Sequence, residues 1–260
     1  VTARAARVLV GAGPEGAARL AAGEVARRAR GAIAARGRFV VALAGGATPR
    51  RLHALLAAPD GPFAGAIDWA RVQVLLGDER RVPPDHPDSN YRMARETLLA
   101  RVPIPPGQVR RWLAEDPDPD RAAAAYEGGL RALFPDGSPR LDLALLGLGP
   151  DGHVASLFPG SPALEERRRW AVAAWAPRLG AFRLTLTWPV LLAARAVLLL
   201  AVGRDKAARA AEVLGGPGPL PAQRLREAGG ELIAVLDAGS AHVLRGGLVV
   251  ETGPSGGFVV

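Results

Sequence analysis

At 260 residues, 49% of them hydrophobic, the chain is long enough to bury a sizeable core in one or two domains. It contains no cysteine, which excludes disulfides and thiolate metal sites. The formal charge is +8, yet the arginines are scattered rather than gathered into a basic block with interleaved aromatics, so steering of a small anion is favoured over nucleic-acid binding.

The longest apolar stretch of the C-terminal half, residues 189–202, is interrupted by Arg195. It falls short of the roughly 20 residues that a membrane span needs. The N-terminal segment is rich in Arg and Ala without an apolar signal core, and a soluble cytoplasmic protein is expected. Among 33 basic residues Lys206 is the only lysine, and Asn90 is the only asparagine. A required point charge at 206 and chance retention are both open at this stage.

Residues 7–10 read as a first strand and are followed by a long helix to about residue 36. Gly11, Gly13 and Gly16 between them spell GxGxxG. The dinucleotide fingerprint also wants an acidic residue about 20 positions on, near the end of the second strand. Residues 39–43 run instead into Ala44, Gly45 and Gly46, so the motif reads as a glycine bend with Pro14 in the first helical turn. Gly45 and Gly46 leave backbone N–H groups free to face an anion. Thr48 is expected as N-cap with Pro49 at the first helical position, and Leu52, Leu55 and Leu56 form the apolar face of the helix. Such a helix start suits a phosphate, as it suits an ordinary strand-to-helix turn.

Residues 72–76 form a third buried strand that ends in GDERRVPPDHPDSNYR. Its prolines and interleaved charges predict a stiff loop, with Asp88 or Ser89 capping a helix over residues 91–101. A short strand over 109–113 and a helix over 121–133 follow. Residues 141–146 are apolar except for Asp142 and predict a buried strand. Gly147, Gly149, Pro150 and Gly152 fill the turn beyond it, and Asp151 and His153 sit in that turn. Open α/β sheets place ligands just there, outside the carboxyl ends of their strands. Further strands are expected over 170–175, 183–187, 195–202 and 232–236. A turn and helix over 203–214 carries Lys206 in its first turn, also just past a strand's end. The tail over 246–260 reads as an edge strand or a loose segment. The alternation implies a three-layer α/β fold, a mostly parallel central sheet with helices on both faces, in one domain over 1–260 with its core at 7–244.

Four segments in order, AGGATP from Ala44, DER with SN from Asp78 to Asn90, GLGPDGHVASLFP from Gly147 and VGRDKA from Val202, resemble the glucosamine-6-phosphate isomerase/6-phosphogluconolactonase family, in particular its lactonase branch. The resemblance implies a Rossmann-like fold of the sugar-phosphate isomerase type and hydrolysis of 6-phospho-glucono-1,5-lactone without metal or cofactor. It implies His153 as general base and Asp151 as its orienting partner. It further implies phosphate binding by Gly45, Gly46, Thr48, Arg80 and Lys206, with Asn90 touching substrate or fixing its loop. The expected partner is a small phosphosugar lactone, with no nucleic acid and no membrane, for a monomer or small homo-oligomer. The glycine loop of the family usually opens with serine on both sides of the glycines, and here Ala44 and Ala47 stand there, so weaker phosphate binding is expected.

Two rival readings follow from the same residues. The deaminase branch carries a glutamate five residues after the histidine, and here Phe158 stands at that position. A phenyl ring cannot transfer a proton, which disfavours glucosamine-6-phosphate deamination. A non-catalytic sugar-phosphate-binding module needs no base, so intact His153 and Asp151 argue against it.

Overall fold

The computed structural model describes residues 6–244 and 249–252. Eight parallel strands form the main sheet: β1 (Arg7–Gly11), β2 (Phe39–Leu43), β3 (Val72–Leu76), β5 (Val109–Arg110), β6 (Leu143–Gly147), β9 (Ala196–Ala201), β10 (Glu231–Asp237) and β11 (Val249–Thr252). Their spatial order is β11-β1-β10-β9-β6-β2-β3-β5. Helices flank this sheet as the alternation predicts, so its central strands are covered on both faces and read as continuous apolar runs rather than as alternation. All five residues of β2 and all six of β9 are buried.

The polar exceptions at strand ends have local causes. Asp142, just before β6, is buried, accepts a hydrogen bond from Val40 N at 2.8 Å and pairs with Arg36 at 2.8 Å and Arg195 at 3.4 Å. It ties the incoming end of β6 to β2 and to α1 (Pro14–Arg36). The GxGxxG bend at the start of α1 is a packing device. A Cβ at Gly11 would lie 2.2 Å from Ala17 N, so only glycine lets the helix sit this close to the strand.

Besides the central sheet there is a second, three-stranded antiparallel sheet of order β4-β8-β7, which the sequence reading did not separate from it. It comprises β4 (Asp78–Arg80), β7 (Ala171–Ala176) and β8 (Ala181–Leu186). The stiff loop predicted after β3 begins later than its charge pattern suggests. The prolines start at Pro83, which leaves Asp78–Arg80 free to pair with β8. The helix predicted over 91–101 is also shorter: α3 (Asn90–Ala94) passes into a wider π turn over Arg95–Leu99. Of the two cap candidates it is Ser89 whose side chain accepts from Arg92 N.

The order of the strands fixes where a ligand can enter. From β2 the chain moves outward through β3 to β5, then returns to the other side of β2 with β6 and continues through β9 and β10. The crevice outside the carboxyl ends of β2 and β6 is therefore the topological switch point of the sheet.

Candidate functional site

A cavity of about 240 Å³ opens at that switch point. Ala44 and Gly45 beyond β2, Gly77, Asp78 and Arg80 beyond β3, Gly147 at the end of β6, and Gly149, Pro150 and His153 beyond it line the cavity, together with Asn90. Of the residues expected from sequence, His153, Gly45, Arg80 and Asn90 thus meet in one space. Asp151 touches His153 from behind. Gly46 and Thr48, at the start of α2 (Ala47–Ala57), and Lys206, in the helical turn that follows β9, stand at the same sheet edge but do not line the cavity. Since β9, β6, β2 and β3 are consecutive neighbours, the loops bearing Lys206, His153, Gly45 and Asp78 follow one another along that edge.

His153 Nδ1 lies 2.5 Å from Asp151 Oδ1. A carboxylate only accepts, so Nδ1 carries the proton, and in the neutral ring Nε2 keeps its lone pair. Burial pushes the Asp151 carboxyl up, but hydrogen bonding and the charge of His153 outweigh it and hold the group below the ordinary carboxylate range. The turn that presents this pair requires glycine at 149, where a Cβ would fall 2.1 Å from His153 Nδ1. The turn is braced from outside by Arg209, which donates to Pro150 O at 2.9 Å, and by Ala222 N, which donates to Gly152 O at 2.9 Å. Phe158 packs on the imidazole with ring centroids 4.4 Å apart, placing an apolar wall beside the base.

Across the cavity, Asn90 is buried and held from both sides. Its Nδ2 donates to Asp78 O at 3.0 Å and to Asp78 Oδ1 at 3.2 Å, while its backbone N–H donates to Glu79 Oε1 at 2.7 Å. Both neighbours of Nδ2 are acceptors, which fixes the orientation of the amide. Its Oδ1 is buried without a partner among the described residues. Glu79 is 2% exposed and also accepts from Arg80 N, Tyr91 N and Ser89 Oγ. Burial pushes its carboxyl up although three backbone N–H groups pull the other way. It locks the start of α3, and with it Asn90, to β4.

Two lining features escaped the sequence reading. Asp78 accepts from Ser156 Oγ at 2.8 Å, coupling β4 to the segment after the histidine turn; its place straight after a strand end was the available signal. Ala155 lines the cavity at φ +48, in the left-handed region that non-glycine residues seldom enter. An alanine there leaves no trace in the sequence. One expectation is corrected: Gly46, not Thr48, is the N-cap of α2, and it provides no side-chain cap bond. The first turn of that helix therefore keeps backbone N–H groups unengaged by any cap. Among the described residues no group of three His, Asp or Glu side chains is arranged to hold a metal ion.

Comparison with known proteins agrees with this fold. Residues 12–234 match the family described as glucosamine-6-phosphate isomerases/6-phosphogluconolactonase. A 6-phosphogluconolactonase of Nostoc sp. is 39% identical over 211 residues, 79% of this chain and 85% of that protein. One from Streptomyces coelicolor is 41% identical over 191 residues, 70% and 72% of the two chains. The chloroplastic 6-phosphogluconolactonase 3 of Arabidopsis thaliana is 38% identical over 209 residues, which cover 76% of this chain but only 63% of that longer protein. Among solved structures, the 6-phosphogluconolactonase of Trypanosoma brucei superposes with a TM-score of 0.81 at 29% identity, covering 92% of this chain and 99% of that one. With a family match that spans most of its length, the chain belongs to the glucosamine-6-phosphate isomerase/6-phosphogluconolactonase family.

Proposed function

We propose that the chain hydrolyses the ring ester of 6-phospho-glucono-1,5-lactone to 6-phosphogluconate. The observation that carries the reading is the His153–Asp151 pair: an imidazole with its Nδ1 proton committed to a carboxylate and its other nitrogen free, on the wall of a polar cavity at the switch point. Nε2 takes a proton from water as the water oxygen attacks C1. The tetrahedral intermediate collapses with cleavage of the bond from C1 to the ring oxygen, which takes the proton back from the imidazolium. Asp151 stabilises the imidazolium formed in between and acts by positioning. The steps use water and protein groups alone.

The same reading gives the 6-phosphate to the N–H groups of Gly45, Gly46 and Thr48 and to the cations Arg80 and Lys206. The unpartnered Asn90 Oδ1 is an acceptor suited to a sugar hydroxyl, since a buried acceptor without a donor is costly unless a ligand supplies one. The names borne by the Nostoc and Streptomyces relatives support the substrate class. Phe158 against His153 disfavours deamination, because the position offers no group to shuttle a proton.

The test is lactone hydrolysis with and without the 6-phosphate, each corrected for the spontaneous opening of the ring in buffer. Turnover of the phosphorylated lactone well above that background, with clear preference over the unphosphorylated one, is expected. Turnover equal to background, or release of ammonia from glucosamine 6-phosphate at a comparable rate, contradicts the assignment.

A further inference from the structure

We infer that Arg209 is a positioning residue for the reaction: it acts on His153 through Asp151, by fixing the peptide plane that leads into that aspartate. This deepens the lactonase reading and rests on it. Position 209 lies outside the four segments that carry the family resemblance, the last of which ends at Ala207. The turn that bears Asp151 and His153 is closed by bonds from Gly149 N to His153 O at 2.9 Å and from Gly152 N to Gly149 O at 3.1 Å. Gly149 and Gly152 stand on either side of the aspartate, Gly152 at φ +80, and glycine restrains the backbone least of all residues. Holding the Asp151 carboxylate on Nδ1 therefore calls for anchors from elsewhere in the chain.

Two such anchors are present. The carbonyl of Gly152, in the peptide leading into His153, accepts from Ala222 N at 2.9 Å, and Leu220 seats the same residue: a Cβ at Gly152 would lie 2.9 Å from Leu220 Cβ. The carbonyl of Pro150, in the peptide leading into Asp151, accepts from Arg209 Nε at 2.9 Å. Proline has no N–H, so residue 150 offers its carbonyl alone to any backbone anchor. That anchor depends on one side chain. Arg209 sits on the helix Ala207–Gly215, where Glu212, three residues on, accepts from its Nη1 at 2.6 Å. The pair aims the rigid fork and leaves Nε for the carbonyl. The Arg209 side chain is 38% exposed, so its bonds add little to the stability of the fold. Their effect is on geometry, and a shift of about 1 Å in a reacting group can cost about 100-fold in rate.

The experiment compares wild type, Arg209→Gln and Arg209→Lys, each alone and combined with Asp151→Asn, by steady-state kinetics on 6-phospho-glucono-1,5-lactone and by melting temperature. Arg209→Gln is expected to lower kcat by about tenfold with KM nearly unchanged, and Arg209→Lys to recover part of the loss. The melting temperature should stay that of wild type. In the Asp151→Asn background the further loss should shrink to about twofold or less, since the path runs through that aspartate. Proton NMR of the His153 Nδ1–H, identified by its absence from His153→Ala, gives a readout that needs no turnover. In Arg209→Gln this signal should move upfield and exchange faster with water. An unchanged kcat, a loss confined to KM, a loss matched by a fall in melting temperature, or the full tenfold loss without the Asp151 carboxylate overturns the proposal. If the wild type fails to hydrolyse the lactone, the lactonase reading falls, and the Nδ1 proton still decides the role of Arg209: an unaltered signal in Arg209→Gln overturns it.

Discussion

Gly45 and Asn90 occupy one space between them: a Cβ at position 45 would fall 1.8 Å from Asn90 Oδ1. The glycine beyond β2 is therefore set by the asparagine that β4 and α3 hold in place, and not only by the backbone freedom of a phosphate loop. Gly45→Ala is expected to displace the amide from its bonds to Asp78 and to lower kcat/KM by roughly tenfold or more. Kinetics and melting curves of the variant check this. Full activity would show that the position of Asn90 is immaterial.

Asp151→Asn keeps the size of the side chain but offers Nδ1 of His153 a donor as readily as an acceptor. The imidazole then loses the partner that leaves Nε2 unprotonated, and kcat should fall by about 100-fold with KM little changed. Because Asp151 is held below the ordinary carboxylate range, its carboxylate stays ionised into acid, and protonation of this aspartate is not expected to shape the rate near neutral pH. The pH profile of kcat for wild type and variant reads both points.

His53 is fully buried on α2, and burial, with a smaller contribution from Arg50, lowers its pKa from 6.5 to about 4. Thr97 Oγ1 donates to Met93 O, so His53 Nδ1 donates to Thr97 Oγ1 across 3.2 Å and the ring is neutral. In the unfolded chain the ring protonates near its ordinary value, so between 6.5 and about 4 the unfolded state binds more protons. Stability therefore falls as pH drops through that interval and is insensitive to this group above it. The contribution is on the order of 3 kcal/mol. Denaturant unfolding at pH 7 and pH 4.5, in wild type and His53→Leu, measures it: the variant should lose less stability on acidification than wild type does.

Tyr126 on α4 (Pro119–Leu133) stacks on Trp112 at 3.6 Å, and its hydroxyl both accepts from Leu76 N and donates to Leu76 O, each at 2.9 Å. Burial pushes the phenol pKa up, so the hydroxyl stays protonated. Tyr126→Phe removes the hydroxyl that accepts from Leu76 N, while Leu76 O keeps the Trp112 Nε1 donor at 2.9 Å, and should cost about 1–3 kcal/mol. Chemical unfolding reads the cost, and an unchanged midpoint would mean that the backbone finds other partners.

Most of the fold was legible because parallel strands buried on both faces are written as apolar runs. The bounds of β2 and β3 follow directly from FVVAL and VQVLL. The small antiparallel sheet was not legible. Its strand β4 is a run of three charged residues whose alternation serves a cavity on one side and a helix cap on the other, and hydropathy carries no sign of either. At the site, glycine-rich turns straight after strand ends pointed to His153 and Gly45, while Arg80 and Asn90 were assigned through the family resemblance. The buried Asn90 Oδ1, the strained Ala155 and the pairing of β4 with β8 exist only once distant segments are folded together. The N-cap of α2 was misplaced because Thr48 has the right chemistry two positions too late, while Gly46 takes the φ of +105 that the chain needs there.

The role of His153 is tested most directly by the initial rate of acid release from 6-phospho-glucono-1,5-lactone, measured for wild type, for His153→Ala and for buffer alone. The His153–Asp151 geometry predicts a wild-type rate far above buffer, and a variant whose kcat falls by about 100-fold or more while its affinity for 6-phosphogluconate is retained. A variant that turns over as fast as wild type would contradict the assignment of the base.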